Sequence, residues 1–469
     1  MARRRTCDIG PPWEGDILLS AREVAGRGLH VSRSKSRRRR SAYALLLIAA
    51  CAPALCCADR APDRPDVVLI VVDSLRADHT SHLGYEFPTA VSLDSFRADA
   101  AMFGMALAPS PSSVPSTATL LTGLLPARHR LGHEERLAPG VETLATRLRD
   151  AGYGTLAVVH HARISKETGI DRGFDRFEGT TTGLLDYPDA SQAVAFVREF
   201  LARDPPRPFF LYLHLMNVHG PYRVPDGWQS ELLGRPPLPG MRYGDPLMRG
   251  VLRGVAAARA QVTAAQVRSL TEQYDTAARY TLDRVAEILR LLEHAEVYRN
   301  ALIVLTADNG DELFDHGSFG HGATLYPEVL HVPLYVKRPG ASDGRRFDEA
   351  VGLQDVAPTL LELLGLPALP TDGVSFAAQL RGEAAPADAD RALLFEIPGG
   401  PERTRAIAAG RYKLIQAGEG AQARSLLYDR VLDPRETVDI AAGGGELVSE
   451  LSSRLESAFA ELAERDASR

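Results

Sequence analysis

The chain has 469 residues, of which 45% are apolar and 24% charged, and its 54 basic and 60 acidic side chains leave a formal net charge of −6. This composition excludes a disordered or fibrous chain and supplies ample material for a large core. The mild acidic balance argues against an electrostatic nucleic-acid binder, so no nucleic-acid partner is expected.

Basic residues crowd the start, where Arg3 to Arg5, Arg33, Lys35 and the run Arg37 to Arg40 precede an apolar stretch from Ala42 to Ala50. Basic runs sometimes bind nucleic acid, but an apolar segment directly after one has the layout of a secretion signal, and this segment is too short to span a bilayer. All four cysteines, Cys7, Cys51, Cys56 and Cys57, lie within or near this leader, which leaves the rest of the chain without a disulfide or a thiol nucleophile. Ile48-Ala49-Ala50-Cys51 resembles a bacterial lipobox, whose cysteine becomes the lipidated first residue; the alternative is a small apolar residue beside a cleavage site. Ala58 to Pro65 reads as a tether. The expected division is a signal or lipoprotein leader and tether over 1–65, a main domain over 66–390 and a small subdomain over 391–469. The product is expected to be exported, periplasmic or at the cell surface, meeting a membrane only through a lipid anchor at Cys51.

Asp66 to Val72 is a continuous β-branched apolar run bounded by Pro65 and a polar cluster, the pattern of a strand buried on both faces. Thr155 to Val159, Phe209 to Leu215 and Ala301 to Thr306 look alike, and Val332 to Val336 is a further candidate. Between them, Val141 to Ala151 forms a helix closed by Gly152, and Val267, Leu270, Tyr274, Ala278, Leu282, Val285, Leu289 and Leu292 keep helical spacing over several turns. Strands alternating with helices predict an α/β fold, a large mixed, mostly parallel sheet sandwiched by helices. The segment from Gly220 to about Gln261 shows no period and is expected to form a long loop over a sheet edge. Beyond about Asp390, Arg405 to Ala408 and Arg411 to Ile415 read as a hairpin, with Ser425 to Tyr428 as its neighbour. A terminal helix then carries Leu447, Leu451, Leu455, Phe459 and Leu462 on one side. This is a small antiparallel sheet with one helix.

In open α/β sheets ligands bind beyond the carboxyl ends of the strands. The first strand delivers Asp73-Ser74-Leu75-Arg76-Ala77-Asp78-His79 there, the third His214 to His219, and the fourth Ala307 to Glu312. Each cluster alone is equally a helix cap or a solvated turn, but three polar strand ends at one sheet edge point to a site. Asp73, Asp308 and Asn309 supply hard oxygen donors from two strands, which suits Ca2+, Mg2+ or Mn2+ better than a soft metal. Ser112 to Ala118, with Pro115 suited to a first helical turn and Gly123 to its end, places Ser113 just ahead of a helix N-terminus, where an anion or an ionised hydroxyl is favoured. An ordinary serine cap is the alternative.

Several further elements share one order along the chain: Val68 to Arg76, Ser113 to Ser116, Leu120-Leu121-Thr122-Gly123, Ala151-Gly152-Tyr153, Phe210 to Tyr222, Thr306 to Gly310, His316-Gly317, His321-Gly322, Leu325-Tyr326, Val332-Pro333-Leu334, Gly410 to Ile415 and Leu427-Tyr428-Asp429. In order and spacing they resemble the sulfatase branch of the alkaline-phosphatase superfamily over nearly everything from Asp66 to Ile440. The resemblance implies that Asp73, Asp308, Asn309 and Ser113 hold one divalent cation, Ca2+ first and Mg2+ or Mn2+ as alternatives, with Ser113 as the nucleophile. It also implies that His219 and His321 serve catalysis and bind the ester oxyanion, with His160 as a third anion-binding side chain.

Two positions depart from the family pattern. Ser74 stands where a second aspartate is usual, and Thr117 replaces the arginine of the signal that directs oxidation of the nucleophile to formylglycine. An unmodified Ser113 is therefore expected. A plain serine ester must be attacked by water or another acceptor, which favours phosphate or transfer chemistry. The first reading is a metal-dependent hydrolase of sulfate esters, on a sulfated glycan or an aryl group. The alternatives are a phosphodiester or phosphonate hydrolase or phosphoryl-group transferase, and a non-catalytic member that binds a polyanion.

Overall fold

The computed structural model describes residues 64–180, 186–234, 262–383, 391–418 and 423–467, together with residues 238 and 245. The basic leader, Cys51, most of the tether and much of the Gly220–Gln261 segment lie outside the described residues. Fourteen strands are described: β1 (Val67–Val72), β2 (Ala101–Leu107), β3 (Gly154–Val159), β4 (Arg176–Gly179), β5 (Phe209–Leu215), β6 (Leu302–Thr306), β7 (Glu312–Leu313), β8 (Phe319–Gly320), β9 (His331–Lys337), β10 (Arg346–Gly352), β11 (Ala392–Ile397), β12 (Thr404–Ala409), β13 (Tyr412–Ala417) and β14 (Arg424–Asp429).

Eight of them form one sheet in the order β10-β2-β9-β6-β1-β5-β3-β4. β9 runs antiparallel to β2 and β6, and the other neighbouring pairs are parallel. All residues of β1, β5 and β6 are buried, as a strand covered on both faces requires, so their sequences read as unbroken apolar runs. The helix Ala190–Ala202 packs against β5 and against the 31-residue helix Ala264–His294, whose N-terminus is fixed by a capping box between Thr263 and Gln266. The predicted sheet is thus present, and it is wider than the apolar runs suggested. β2, β4 and β10 also belong to it. The edge strand β10 is charged and largely exposed, and Gly104 in β2 lies so close to Arg346 and Asp348 that a Cβ there would stand 2.6 Å from a carboxylate oxygen. The loop expected from Gly220 contains a helix, Trp228–Leu233.

The small sheet has the order β11-β12-β13-β14, all antiparallel, and β12 and β13 form the expected hairpin across Gly410, whose φ of 53° suits glycine. Its strands alternate. Ile407, Leu414 and Leu427 meet Leu451, Leu455, Phe459 and Leu462 of the terminal helix Gly445–Ala467, whereas Phe395, Ala406, Ala408, Ile415 and Tyr428 pack on Leu107, Leu325, Val329 and Leu330. The Lys413 ammonium joins the two parts, donating to the Leu325 carbonyl at 2.5 Å and to Glu436 at 2.7 Å from a buried position.

Candidate active site

The carboxyl ends of β1, β3, β5 and β6 lie side by side, and β2 points the same way from beyond β9. After β1 the chain turns sharply. Asp73 N–H donates to the Leu215 carbonyl at 2.9 Å, and Ser74 takes a left-handed conformation with φ of 62°, at a cost of about 1 kcal/mol for a non-glycine residue. Its neighbours hold it there. The Ser74 N–H donates to Asp308 Oδ1 at 3.3 Å, its hydroxyl to Asp73 Oδ1 at 2.8 Å, and its carbonyl accepts the Tyr274 hydroxyl at 2.7 Å from the long helix. The fully buried Arg76 guanidinium then bonds Asp78, the Asp311 carbonyl and Asp315, which ties this turn to the one after β6. In that second turn Gly310 is required by space, because a Cβ would lie 2.1 Å from the Glu328 carbonyl oxygen.

Ser113 is the first residue of the buried helix Ser113–Thr122, with Ser112 as its cap, so it sits within the first turn and not ahead of it. Gly123, at φ of 70°, ends the helix as expected. The Ser113 hydroxyl donates to Asn309 Oδ1 at 3.2 Å, and Asn309 Nδ2 donates to the Gly310 carbonyl at 3.0 Å. The serine expected from one segment and the amide expected from another, 196 residues away, are therefore in contact. Asp73 and Asp308 are fully buried beside them.

One residue not singled out in the sequence joins this pair. Phe210, Tyr212 and His214 alternate along β5 and share one face. The Tyr212 hydroxyl lies 2.8 Å from His214 Nδ1, while His214 Nε2 lies 3.0 Å from Asp73 Oδ2 and 3.6 Å from Asp308 Oδ2. Asp73, His214 and Asp308 each offer an atom within 4.8 Å of the others, a group able to hold a metal ion. Asp308 Oδ2 is buried without a hydrogen-bond partner. An orphaned carboxylate oxygen in a dry site is what a cation would satisfy, so the residues present fit one.

The electrostatics separate the two carboxylates. Burial opposes ionisation of Asp73, but the His214 hydrogen bond and nearby His219 and His161 outweigh it and hold this carboxyl well below the usual range. Burial and the neighbouring Asp73 push Asp308 up to about 7. Among the imidazoles, burial brings His161 down to about 3 and also lowers His219. His321 goes the other way. Burial works against its charge, yet Asp311, 2.5 Å from its Nδ1, raises it to about 9. Asp311 also accepts the Tyr222 hydroxyl at 2.9 Å, which fixes the carboxylate that orients His321.

Ser113, His161, His219 and His321 line one cavity of about 460 Å³, whose rim carries His133, Arg163, Pro398 and Gly399. The His219 and His321 rings stand 5.0 Å apart, and His161 and His219 stand 6.1 Å apart. His160 does not line this cavity. β3 ends at Val159, and the next two side chains diverge, so that His161 lines the cavity while His160 is buried with its Nδ1 unpartnered. A larger cavity of about 1080 Å³, lined by Arg76, Asp275, Lys413 and Arg435 among others, does not contain Ser113. Of the two, the smaller is the one that reaches Ser113, whose hydroxyl touches Asn309 next to the buried Asp308.

A mostly parallel sheet thus gathers a serine, an amide, two buried carboxylates and several imidazoles at its carboxyl edge, an arrangement suited to an ester hydrolase. The chain belongs to the sulfatase family: the sulfatase family model matches residues 65–366, and that of the N-sulphoglucosamine sulphohydrolase C-terminal region matches residues 315–464. It is similar to an arylsulfatase of Clostridium perfringens, 26% identical over an alignment of 373 positions that covers 64% of this chain and 74% of that protein. It is also similar to a Delta 4,5-hexuronate-2-O-sulfatase of Bacteroides thetaiotaomicron, 24% identical over an alignment of 443 positions that covers 83% of this chain and 87% of the relative. Among solved structures, the phosphonate monoester hydrolase of Agrobacterium radiobacter shares the fold with a TM-score of 0.70 at 20% identity, over 85% of this chain and 96% of the other. The protein is a sulfatase-like ester hydrolase. No helix of the described residues is long and apolar enough to cross a membrane.

Proposed function

We propose that the protein hydrolyses a sulfate ester on a glycan or an aryl group, with Ser113 as an unmodified nucleophile. The observation that carries this reading is the Ser113 hydroxyl bonded to Asn309 beside two buried carboxylates, at a cavity lined by four histidines. Asp73, Asp308, Asn309 and Ser113 would hold one divalent cation; oxygen donors alone favour Ca2+, with Mg2+ or Mn2+ as alternatives. A bound cation would draw negative charge from the ester's nonbridging oxygens and from the serine oxygen.

The remaining steps fall to the chain's own side chains. His219 gives its Nδ1–H to the Gly220 carbonyl, 2.7 Å away, which leaves Nε2 bare to take the proton of Ser113. Ser113 Oγ then attacks in line while His321, protonated at neutral pH, gives its proton to the departing oxygen; water, giving a proton to the now neutral His321, next attacks the serine ester and frees Ser113, which recovers its proton from His219. His161 takes the anion-binding place expected of His160, since it is the member of the pair that lines the cavity. The similarity to a hexuronate sulfatase supports a sulfated glycan. Residues 1–65 we read as an export leader, with lipidation at Cys51, and residues 66–390 and 391–469 as catalytic domain and subdomain.

Thr117 and Ser74 favour the second reading, in which the same serine attacks phosphorus, and the similarity to a phosphonate monoester hydrolase accords with it. Aryl sulfate, aryl phosphonate monoester and aryl phosphodiester with one shared leaving group decide between them. The first reading expects kcat/KM for the sulfate to exceed the others by about 10-fold or more, roughly 1.4 kcal/mol of transition-state stabilisation. The opposite order would transfer the assignment to phosphorus chemistry.

The proton donor sets a pH dependence. His321 near 9 is protonated at neutral pH, so kcat should hold steady toward pH 8 and decline above about 9 as the donor is lost. Asp311→Asn removes the charge that raises it, and the alkaline limb should move down by a pH unit or more. An unchanged limb would mean that some other group protonates the leaving oxygen.

A further inference from the structure

We propose that His214 is itself a metal ligand, and that its nitrogen makes the cation site select a first-row transition dication such as Zn2+ or Mn2+ over Ca2+. The inference rests on the cation site proposed above and revises the ion expected from its oxygen donors alone.

Placement comes first. Two ligands about 2.1 Å from one ion stand about 3.0 Å apart at a right angle and about 3.4 Å apart at the tetrahedral angle. His214 Nε2 lies 3.0 Å from Asp73 Oδ2 and 3.6 Å from Asp308 Oδ2, the separations of neighbouring ligands around a small ion. A hydrogen bond from His214 to Asp73 accounts for the first distance alone. It leaves the buried Asp308 Oδ2, aimed at the same nitrogen, without any partner. An ion seated among the three atoms satisfies all of them.

The imidazole is also set up for ligation from behind. Its Nδ1 faces the buried Tyr212 hydroxyl at 2.8 Å, and an Nδ1–H donated to that oxygen leaves the Nε2 lone pair directed at the carboxylates. A ligating histidine ordinarily gives its other ring N–H to an oxygen in this way, which fixes ring and tautomer. A role toward substrate does not compete, because His214 is fully buried and does not line the cavity that holds Ser113. Imidazole nitrogen is a good donor to Zn2+ and its first-row neighbours and a poor one to Ca2+, which takes oxygen.

The test uses the full chain, stripped with a chelator and titrated calorimetrically with Zn2+, Mn2+ and Ca2+ in turn. Zn2+ should bind tighter than Ca2+ by a factor on the order of 10³ or more, and Mn2+ tighter than Ca2+ by a smaller margin. Pulsed electron paramagnetic resonance of the Mn2+-loaded wild type should show a directly bound ¹⁴N nucleus, a readout independent of turnover and of any variant. His214→Asp should shift preference toward Ca2+ by about 100-fold, and His214→Gln should weaken Zn2+ far more than Ca2+. Absence of nitrogen coupling, with His214→Gln weakening every ion equally by about 10- to 100-fold, would show that His214 only orients Asp73 and would overturn the inference while the cation site stands. Failure of the wild type to take up any dication would instead remove the cation site itself.

Discussion

Ser113→Ala is expected to lower kcat by about 10⁴-fold or more on whichever ester proves to be the substrate, since it removes the hydroxyl proposed to form the covalent intermediate. The fold should survive. Within the described structure the Ser113 hydroxyl makes one hydrogen bond, to Asn309, and the helix entry depends on Ser112, whose carbonyl accepts Ser116 N–H at 3.1 Å. Loss of that one bond costs about 1 kcal/mol. Circular dichroism and thermal melting of the variant should therefore match the wild type while turnover disappears. Substantial residual turnover would show that the serine is not the nucleophile. A wild type with no turnover on any ester, yet with tight binding of sulfated polymer, would make this a polyanion-binding member of the family.

Asp308→Asn should act on activity and stability in opposite directions. The charge that helps to hold the cation is removed, so kcat/KM should fall by roughly 10³-fold, the order of several kcal/mol of lost transition-state stabilisation. In the metal-free protein, however, Asp308 is a wholly buried carboxylate with one oxygen unpartnered and a second carboxylate beside it. Replacing it by a neutral amide of the same shape relieves that repulsion, and the chelator-treated variant should melt higher than chelator-treated wild type by roughly 2 °C or more. The difference should shrink or reverse when a binding cation is added, because only the wild type gains from it. A variant less stable than wild type in both conditions would mean that Asp308 serves the fold and not an ion.

Much of the fold was legible because a strand buried on both faces cannot hide its composition. β1, β5 and β6 appear as apolar runs, and the residues following each run form the site. β2, β4 and β10 were illegible for the converse reason. Their residues are partly exposed, interrupted by Gly104 or charged, and only pairing partners distant in sequence make them strands. Within the candidate site, Asp73, Asp308, Asn309 and Ser113 stood out as polar residues at strand or helix ends, whereas the roles expected of His219 and His321 came from the resemblance to the sulfatases. His214 was counted in the polar end of its strand, His214 to His219, but was given no role of its own. Its signal was the i, i+2 pairing with Tyr212, which puts both on one face of a strand with no water to satisfy them. The choice between His160 and His161 could not be read at all, since the path of the chain beyond Val159 decides which of two adjacent side chains lines the cavity.

β9 stands between β2 and β6, so the strand that leads to Ser113 has no direct neighbour among those that deliver Asp73, Asp308 and His214. The partner that bridges them is supplied more than 220 residues after β2 leaves off, at His331–Lys337. During synthesis Ser113 therefore emerges long before the strand that joins its side of the sheet to the side carrying Asp73, Asp308 and His214, a non-local pairing that slows folding. A chain ending before that strand would contain Ser113, Asp73, Asp308 and His214 and still lack the element that joins the two sides of the sheet on which they stand, so the proposed site is assembled only once residues 331–337 of 469 have been made.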